Sequence, residues 1–223
     1  MCDLYRDAPE LHLEGVRIIS TDEKTGIQAL ERMAEDLPMR RGSPRKREYD
    51  YIRHGTACLM ANFEVATGRV ISPTLGLTRT EEDYAGHIEA TVATDPQARW
   101  VIVNDQLNTH KSEALVRLVA RLCGSGEDLG EKGSSGVLKN TESRKAFLED
   151  TSHRICFLYP PKHCSWLNQV EIWLGILCKR LLKKGSFKSV EELMDKIRQF
   201  IVFFNENLAK PFKWTYEGKP LKI

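Results

Sequence analysis

Ser165 to Gly175 read SWLNQVEIWLG. The apolar spacing runs on to about Lys184 and predicts one helix over that span. On such a helix the nearest surface neighbours of Glu171 are Leu167, Leu174, Gly175, Cys178 and Leu182. Trp166, Val170, Trp173 and Leu177 cover most of the remaining surface. A helix that is apolar nearly all round is a buried helix. A carboxylate centred on it is costly unless it is paired, neutral or bound to a metal. Two readings of Glu171 stand: an acid satisfied by an arginine or a backbone group, or a metal ligand that needs acids from elsewhere in the chain.

Upstream of this helix, Arg154–Tyr159 reads as a strand stopped by Pro160-Pro161. Arg99–Val103, RWVIV, is a short apolar run of the kind covered on both faces of a sheet. It ends abruptly in Asn104-Asp105-Gln106-Leu107-Asn108-Thr109-His110-Lys111-Ser112. An acid directly after a buried strand lies where open α/β sheets place their ligands. The competing reading of Asp105 is an Asx-turn or a helix cap. Val16–Thr21 alternates and is β-branched, so it reads as a first strand, and Asp22 follows it. Asp22 is either an acid at the end of that strand or the N-cap of a helical turn over Ile27–Met33.

Thr56–Thr67 and Arg69–Leu75 flank a turn at Thr67-Gly68 and predict a hairpin, its second strand blunted by Pro73. Thr80–Thr94 predicts a helix opened by three acids and ended at Asp95-Pro96. Ser112–Cys123 is an amphipathic helix, and Thr141–Asp150 a short one. Gly124–Gly136 is Gly/Ser-rich and is expected to be an exposed, mobile loop. Ser189–Asn207 is an amphipathic helix opened by Ser189 and Glu192 in capping-box spacing. Residues 1–15 are mixed and suggest no core of their own, and the tail from Pro211 is aromatic and basic without periodicity.

A chain of 223 residues can form one sizeable domain with a full core. The net charge of +2 is too small to decide for a nucleic-acid partner, but its distribution is uneven. Arg40, Arg41, Arg45, Lys46, Arg47 and Arg53 crowd one segment, and Lys179, Arg180, Lys183, Lys184 and Lys188 another. The six cysteines show no CxxC and no regular framework, which suggests free thiols in a reducing, cytoplasmic setting. His163 beside Cys164 has no second ligand pair at zinc spacing and reads as structural. No apolar run is long enough to span a membrane.

Strand, hairpin, helix, strand, helix, strand, helix is a mixed α/β pattern around one sheet. If the strands before Asp22 and Asp105 are neighbours, their acids converge at one end of the sheet and the later helix can present Glu171. Three carboxylates favour hard cations such as Mg²⁺ or Mn²⁺. Two such ions, roughly 4 Å apart, are the standard device for in-line displacement at a phosphodiester.

STDEKTGIQALER, NDQLNTHKS and YPPKHCSWLNQVEIW, with RHGTACLMANFEVATG and KPFKWTYEGKPL, resemble the catalytic domain of bacterial insertion-sequence transposases of the mariner-like superfamily. The resemblance runs from about Cys2 to the end of the chain. It implies a ribonuclease-H-like, retroviral-integrase-like α/β fold, with a mixed sheet that starts in an antiparallel hairpin and is flanked by helices. It also implies an Asp-Asp-Glu triad made of Asp22, Asp105 and Glu171 holding two Mg²⁺ or Mn²⁺ ions. The implied activity is phosphodiester hydrolysis at transposon ends followed by strand transfer into target DNA. Implied partners are double-stranded DNA and a second copy of the chain, at the nucleoid of a bacterial cytoplasm. His110 and Lys111, after the second acid, are expected to support the site or contact phosphate. Asn168, one helical turn before the third acid, is expected to orient it or touch DNA, and Arg45, Lys46 and Arg47 to hold phosphates.

Three departures accompany the resemblance. Gln106 stands where many relatives have Asn directly after the second acid. The segment from Asp105 to Glu171 is longer than in compact members, with the surplus around residues 124–150. No helix-turn-helix pattern precedes Val16, although such transposases usually begin with one. The expected organisation is therefore a linker remnant at 1–15, a catalytic domain at 16–208 and a tail at 209–223. Two rival readings are a non-catalytic remnant that binds DNA or full-length transposase, and another ribonuclease-H-like nuclease. A carboxylate-pair glycosidase suits three acids and basic loops less well.

Overall fold

The computed structural model describes residues 1–34, 37–44, 46, 48, 50–161 and 164–216. Among them five strands build the sheet: β1 Val16–Arg32, β2 Tyr51–Glu64, β3 Val70–Gly76, β4 Arg99–Val103 and β5 Ile155–Leu158. Their order is β3-β2-β1-β4-β5. β2 runs antiparallel to both of its neighbours, β1 and β3, while β1, β4 and β5 are parallel. This is the expected antiparallel start joined to a parallel half. Pro73 lies in β3, an edge strand, where a missing N–H breaks no ladder between two neighbours.

Among the described residues six α-helices cover the two faces. On one face lie α2 Glu81–Val92, α3 Glu113–Cys123 and α4 Thr141–Glu149, packed on Ile19, Met60, Trp100, Ile102 and Phe157. On the other lie α1 Cys2–Leu13, α5 Val170–Leu177 and α6 Val190–Asn207, packed on Ile18, Leu59, Ala61, Phe63 and Val103. Ile18 and Ile19 thus go to opposite faces, as strand alternation requires. Caps fix the helix starts. Thr80 and Asp83 form a reciprocal capping box at α2, and the Ser112 hydroxyl accepts the Leu115 amide at α3. Gly124, at φ 63°, closes α3 in the left-handed conformation that glycine adopts without steric cost.

Four expectations are corrected. β1 does not stop before Asp22; it runs on to Arg32, with irregular pairing around Gly26, and Ile27 and Ala29 are buried strand residues rather than helical ones. Residues 1–15 are not coreless: α1 buries Tyr5 and Ala8 against Ile18, Val65 and Val103. Gly124–Gly136 is largely exposed, as expected, but it is held closed: the Val137 and Leu138 amides donate to the Asp128 and Leu129 carbonyls. Gly130 and Gly136 approach so closely there that a Cβ on either would strike backbone. The continuous buried helix of 165–184 is three pieces: a 3-10 turn at Ser165–Leu167, α5 after a break at Asn168, and a π-helical turn at Cys178–Leu182.

Candidate active site

β1 pairs with β4 from Val16↔Arg99 to Ser20↔Val103. Asp22 and Asp105 each lie two residues further on, so they stand level at the carboxyl end of the parallel strands. β4 stops there, while β1 continues against β2, with Asp22 opposite Ala61. The geometric expectation for these two acids therefore holds, although Asp22 lies within a strand. By alternation Asp22 shares the face of Ile18 and Ser20, on which α5 packs.

Asn168 docks α5 on that face. Its side-chain amide donates to the Thr21 carbonyl at 2.8 Å, and its side-chain oxygen accepts the Ser20 hydroxyl. Ser20 in turn accepts the Val170 amide at 2.8 Å. These bonds compete with helical pairing and explain the break before α5. They also correct the assignment of Asn168 to a DNA contact, because it is fully buried between β1 and α5.

Glu171, in the first turn of α5, is exposed rather than buried. α5 turns Val170, Trp173, Leu174 and Leu177 inward and leaves Ile172 and, just upstream, Trp166 on the surface. Counting apolar positions could not separate the buried ones from the exposed ones. Glu171 is near enough for its charge to act on Asp22.

The Asp22 carboxyl is pushed up to about 7. Burial is the largest cause, and the negative charges of Asp105 and Glu171 add to it against the Glu23 amide and the His110 charge. Asp105 goes the other way. Burial works to raise it, but hydrogen bonds from His110 and the Leu107 amide, with the charges of His110 and Lys111, hold it below the usual range. His110 is fully buried, with Nδ1 2.7 Å from Asp105 Oδ1 and Nε2 3.3 Å from Glu23 Oε1. Burial disfavours its charge, but these two carboxylates prevail and lift it to about 9. The imidazolium is thus a clamp between β1 and the loop after β4. It is not a phosphate contact, and neither is Lys111, which is buried with its ammonium over the Tyr159 ring at 5.5 Å.

Glu23 is the site residue that sequence reasoning missed. An acid next to a candidate N-cap suits the first turn of a helix, so nothing in the sequence marks Glu23 out. Strand alternation sends it to the opposite face, where His110 and Arg79 hold it, Arg79 at 3.7 Å. Gln106 donates to the Pro160 carbonyl at 2.7 Å and ties the ends of β4 and β5 together.

Asp22 Oδ2, Asp105 Oδ2 and the Glu171 carboxylate accept no hydrogen bond from the described residues. Oxygen ligands with mutual repulsion fit a hard divalent cation, which would relieve the charge crowding that raises Asp22. The three carboxylates do not all lie within 4.8 Å of one another.

Arg45, Arg47 and His163 lie outside the described residues. Lys46 is exposed on a hairpin extension in which Leu37 pairs with Lys46 and Arg40 with Ser43. The base of that extension meets the second basic segment: the Arg32 amide donates to Ser186 Oγ at 3.0 Å, and the Phe187 amide to the Leu30 carbonyl at 2.8 Å. A groove of about 500 Å³ lies there, lined among others by Lys24, Arg32, Tyr51 and Lys183. The six cysteines are all free. No helix among the described residues is long and apolar enough to cross a membrane.

A family model described as DDE superfamily endonuclease matches residues 17–194. No curated protein matches the chain. Three solved structures share its fold at low identity. The pre-cleavage Mos1 transpososome is 16% identical, with a TM-score of 0.56 over 90% of this chain and 52% of that one. The Mos1 mariner paired-end complex with Mn is 17% identical, with a TM-score of 0.55 and the same coverage. The Mos1 strand transfer complex is 15% identical, with a TM-score of 0.51 over 90% of this chain and 53% of that one. The chain therefore spans about half the length of the solved proteins it resembles.

Proposed function

The chain belongs to the DDE superfamily endonucleases, and from that premise we propose that it is the catalytic part of a DNA transposase. Asp22, Asp105 and Glu171 are its metal ligands, and Mg²⁺ or Mn²⁺, as two ions, is its cofactor. The observation that carries this reading is the level placement of Asp22 and Asp105 at the carboxyl ends of adjacent parallel strands, with Glu171 within electrostatic reach. Bound there, the ions would activate the attacking water or 3′-hydroxyl and stabilise the leaving oxygen.

The chain's own residues do the positioning. Asn168 and Ser20 lock the start of α5 onto β1 and so set where Glu171 can reach. His110 keeps Asp105 ionised and turns one of its oxygens away, which leaves Oδ2 for the cation. The Glu23 amide likewise occupies one oxygen of Asp22, Oδ1, and leaves Oδ2 open. Double-stranded DNA is the substrate, and the groove at Arg32 and Lys183 with the exposed Lys46 hairpin supports phosphate binding beside the site. The pairing of two ends by two copies of the chain belongs to this reading, supported by the fold shared with the Mos1 paired-end complex.

The test is joining of a pre-cut DNA end to a target duplex, with hydrolysis of a nicked duplex in parallel, in Mn²⁺ and in Mg²⁺. Asp22→Asn, Asp105→Asn and Glu171→Gln should each reduce both reactions to background. Activity surviving in any of the three would remove that residue from the triad.

A further inference from the structure

We propose that Glu127, Asp150 and His153 form a second divalent-metal site, of the zinc type, which fastens the 124–136 loop to the start of β5. One potential ligand atom from each of the three lies within 4.8 Å of the others, the only such group among the described residues. It is separate from the acidic triad. His153 lies two residues before the first residue of β5, whose first pairings join Trp100 to Arg154 and Ile155 at the amino ends of the parallel strands. Asp22 and Asp105 lie at the opposite end of the β1–β4 ladder, just past its last pairing, Ser20↔Val103.

The state of the imidazole points to a ligand. The His153 side chain is 9% exposed, and its Nδ1 is buried without a hydrogen-bond partner. Its Nε2 lies 3.9 Å from Glu127 Oε1, beyond hydrogen-bond length. Buried polar nitrogens are nearly always partnered, so the orphaned Nδ1 of a ring held against this cluster needs an explanation. The ring is not free to turn outward, since it packs on Phe147 with centroids 4.6 Å apart. Asp150 is braced as well, its Oδ1 accepting the Ser152 amide at 2.8 Å.

Two ligands are thus held in place, and the third is adjustable. Glu127 is 51% exposed and sits on the loop. Tetrahedral zinc with nitrogen and oxygen ligands at about 2.1 Å requires ligand atoms roughly 3.4 Å apart, so a small inward swing of Glu127 closes the site. One imidazole with two carboxylates suits Zn²⁺ over Mg²⁺ or Ca²⁺, which prefer all-oxygen ligands. Water would complete the coordination. The ion would bridge the loop and the start of β5 where Glu127 and His153 already stand 3.9 Å apart.

Zinc titration by calorimetry, in an Asp105→Asn background that removes one triad ligand, tests the site. Glu127→Gln is the safe variant, because the side chain is exposed and supports nothing else, and Asp150→Asn can keep the Ser152 contact. Each should lower zinc stoichiometry by one equivalent. Zinc at a hundredfold excess over Kd should raise Tm by roughly 5 °C in the background chain and in neither variant. Equal stoichiometry and an equal Tm rise in all three chains would overturn the proposal.

Discussion

His110 Nδ1 lies 2.7 Å from Asp105 Oδ1, and the imidazole is completely buried. A charged ring enclosed between Asp105 and Glu23 joins the loop after β4 to β1. It fixes one candidate metal ligand from behind, as second-sphere partners do in metal sites generally. Replacing it with Gln removes the charge and one of the two contacts. The His110→Gln variant should lose roughly 10- to 100-fold in metal affinity or in turnover. Calorimetry with Mn²⁺ beside the strand-joining assay reads both, and unchanged values would show that Asp105 needs no such support.

Asn168 should matter without touching DNA. It joins Thr21 and Ser20 to the start of α5 while fully buried. Asn168→Ala leaves the Thr21 carbonyl and the Ser20 hydroxyl short of partners. The expected cost is about 1–3 kcal/mol of stability, measured by urea denaturation. Activity should fall further than stability alone explains, because the position of Glu171 depends on that junction.

The site was only partly legible in the sequence, for reasons that differ by residue. Asp105 could be located because RWVIV is a strand by any reading and the polar run after it is abrupt. Asp22 could be found, but its strand could not be followed. Lys24, Thr25 and Gly26 interrupt the apolar alternation, and an acid before such residues reads equally well as a helix cap. Glu171 was identified and its burial misjudged, since periodicity does not distinguish an apolar residue facing the core from one such as Ile172 that faces solvent. α1 escaped notice because Tyr5 and Ala8 are too few to make a pattern, although both are buried. Glu23 becomes conspicuous only once β1 is known to continue, because then it must point away from Asp22.

Buried His87 predicts acid sensitivity. Burial is the main reason its pKa falls to about 3, with the nearby His110 charge adding to the effect. The folded state keeps it neutral, while the unfolded chain takes up a proton near the ordinary value of about 6.5. Stability from this group is fully present above pH 6.5 and is lost as pH falls towards 3. The slope is at most roughly 1.4 kcal/mol per pH unit. Urea midpoints across that window should report the loss, and His87→Gln should make the profile less steep between about pH 6.5 and 5, where the raised Asp22 carboxyl contributes with the opposite sign. An unaltered slope in the variant would assign the acid sensitivity elsewhere.

Phosphate binding beside the site should be additive and salt-dependent. Lys46 and Lys183 are exposed, on the hairpin extension and beside the groove at its base. Replacing both with Ala should weaken duplex binding evenly across sequences. The slope of log affinity against log salt should fall by about 2. A change in sequence preference without a change in slope would contradict a backbone-contact role.

The central claim is that Asp22, Asp105 and Glu171 hold a divalent cation. Mn²⁺ calorimetry on the chain and on its Asp105→Asn variant tests it most directly, with Glu127→Gln in both so that the second site is silent. Saturable binding in the first and its loss in the second is the predicted result. Identical isotherms, with or without a nicked duplex to complete the site, would mean that these acids hold no metal.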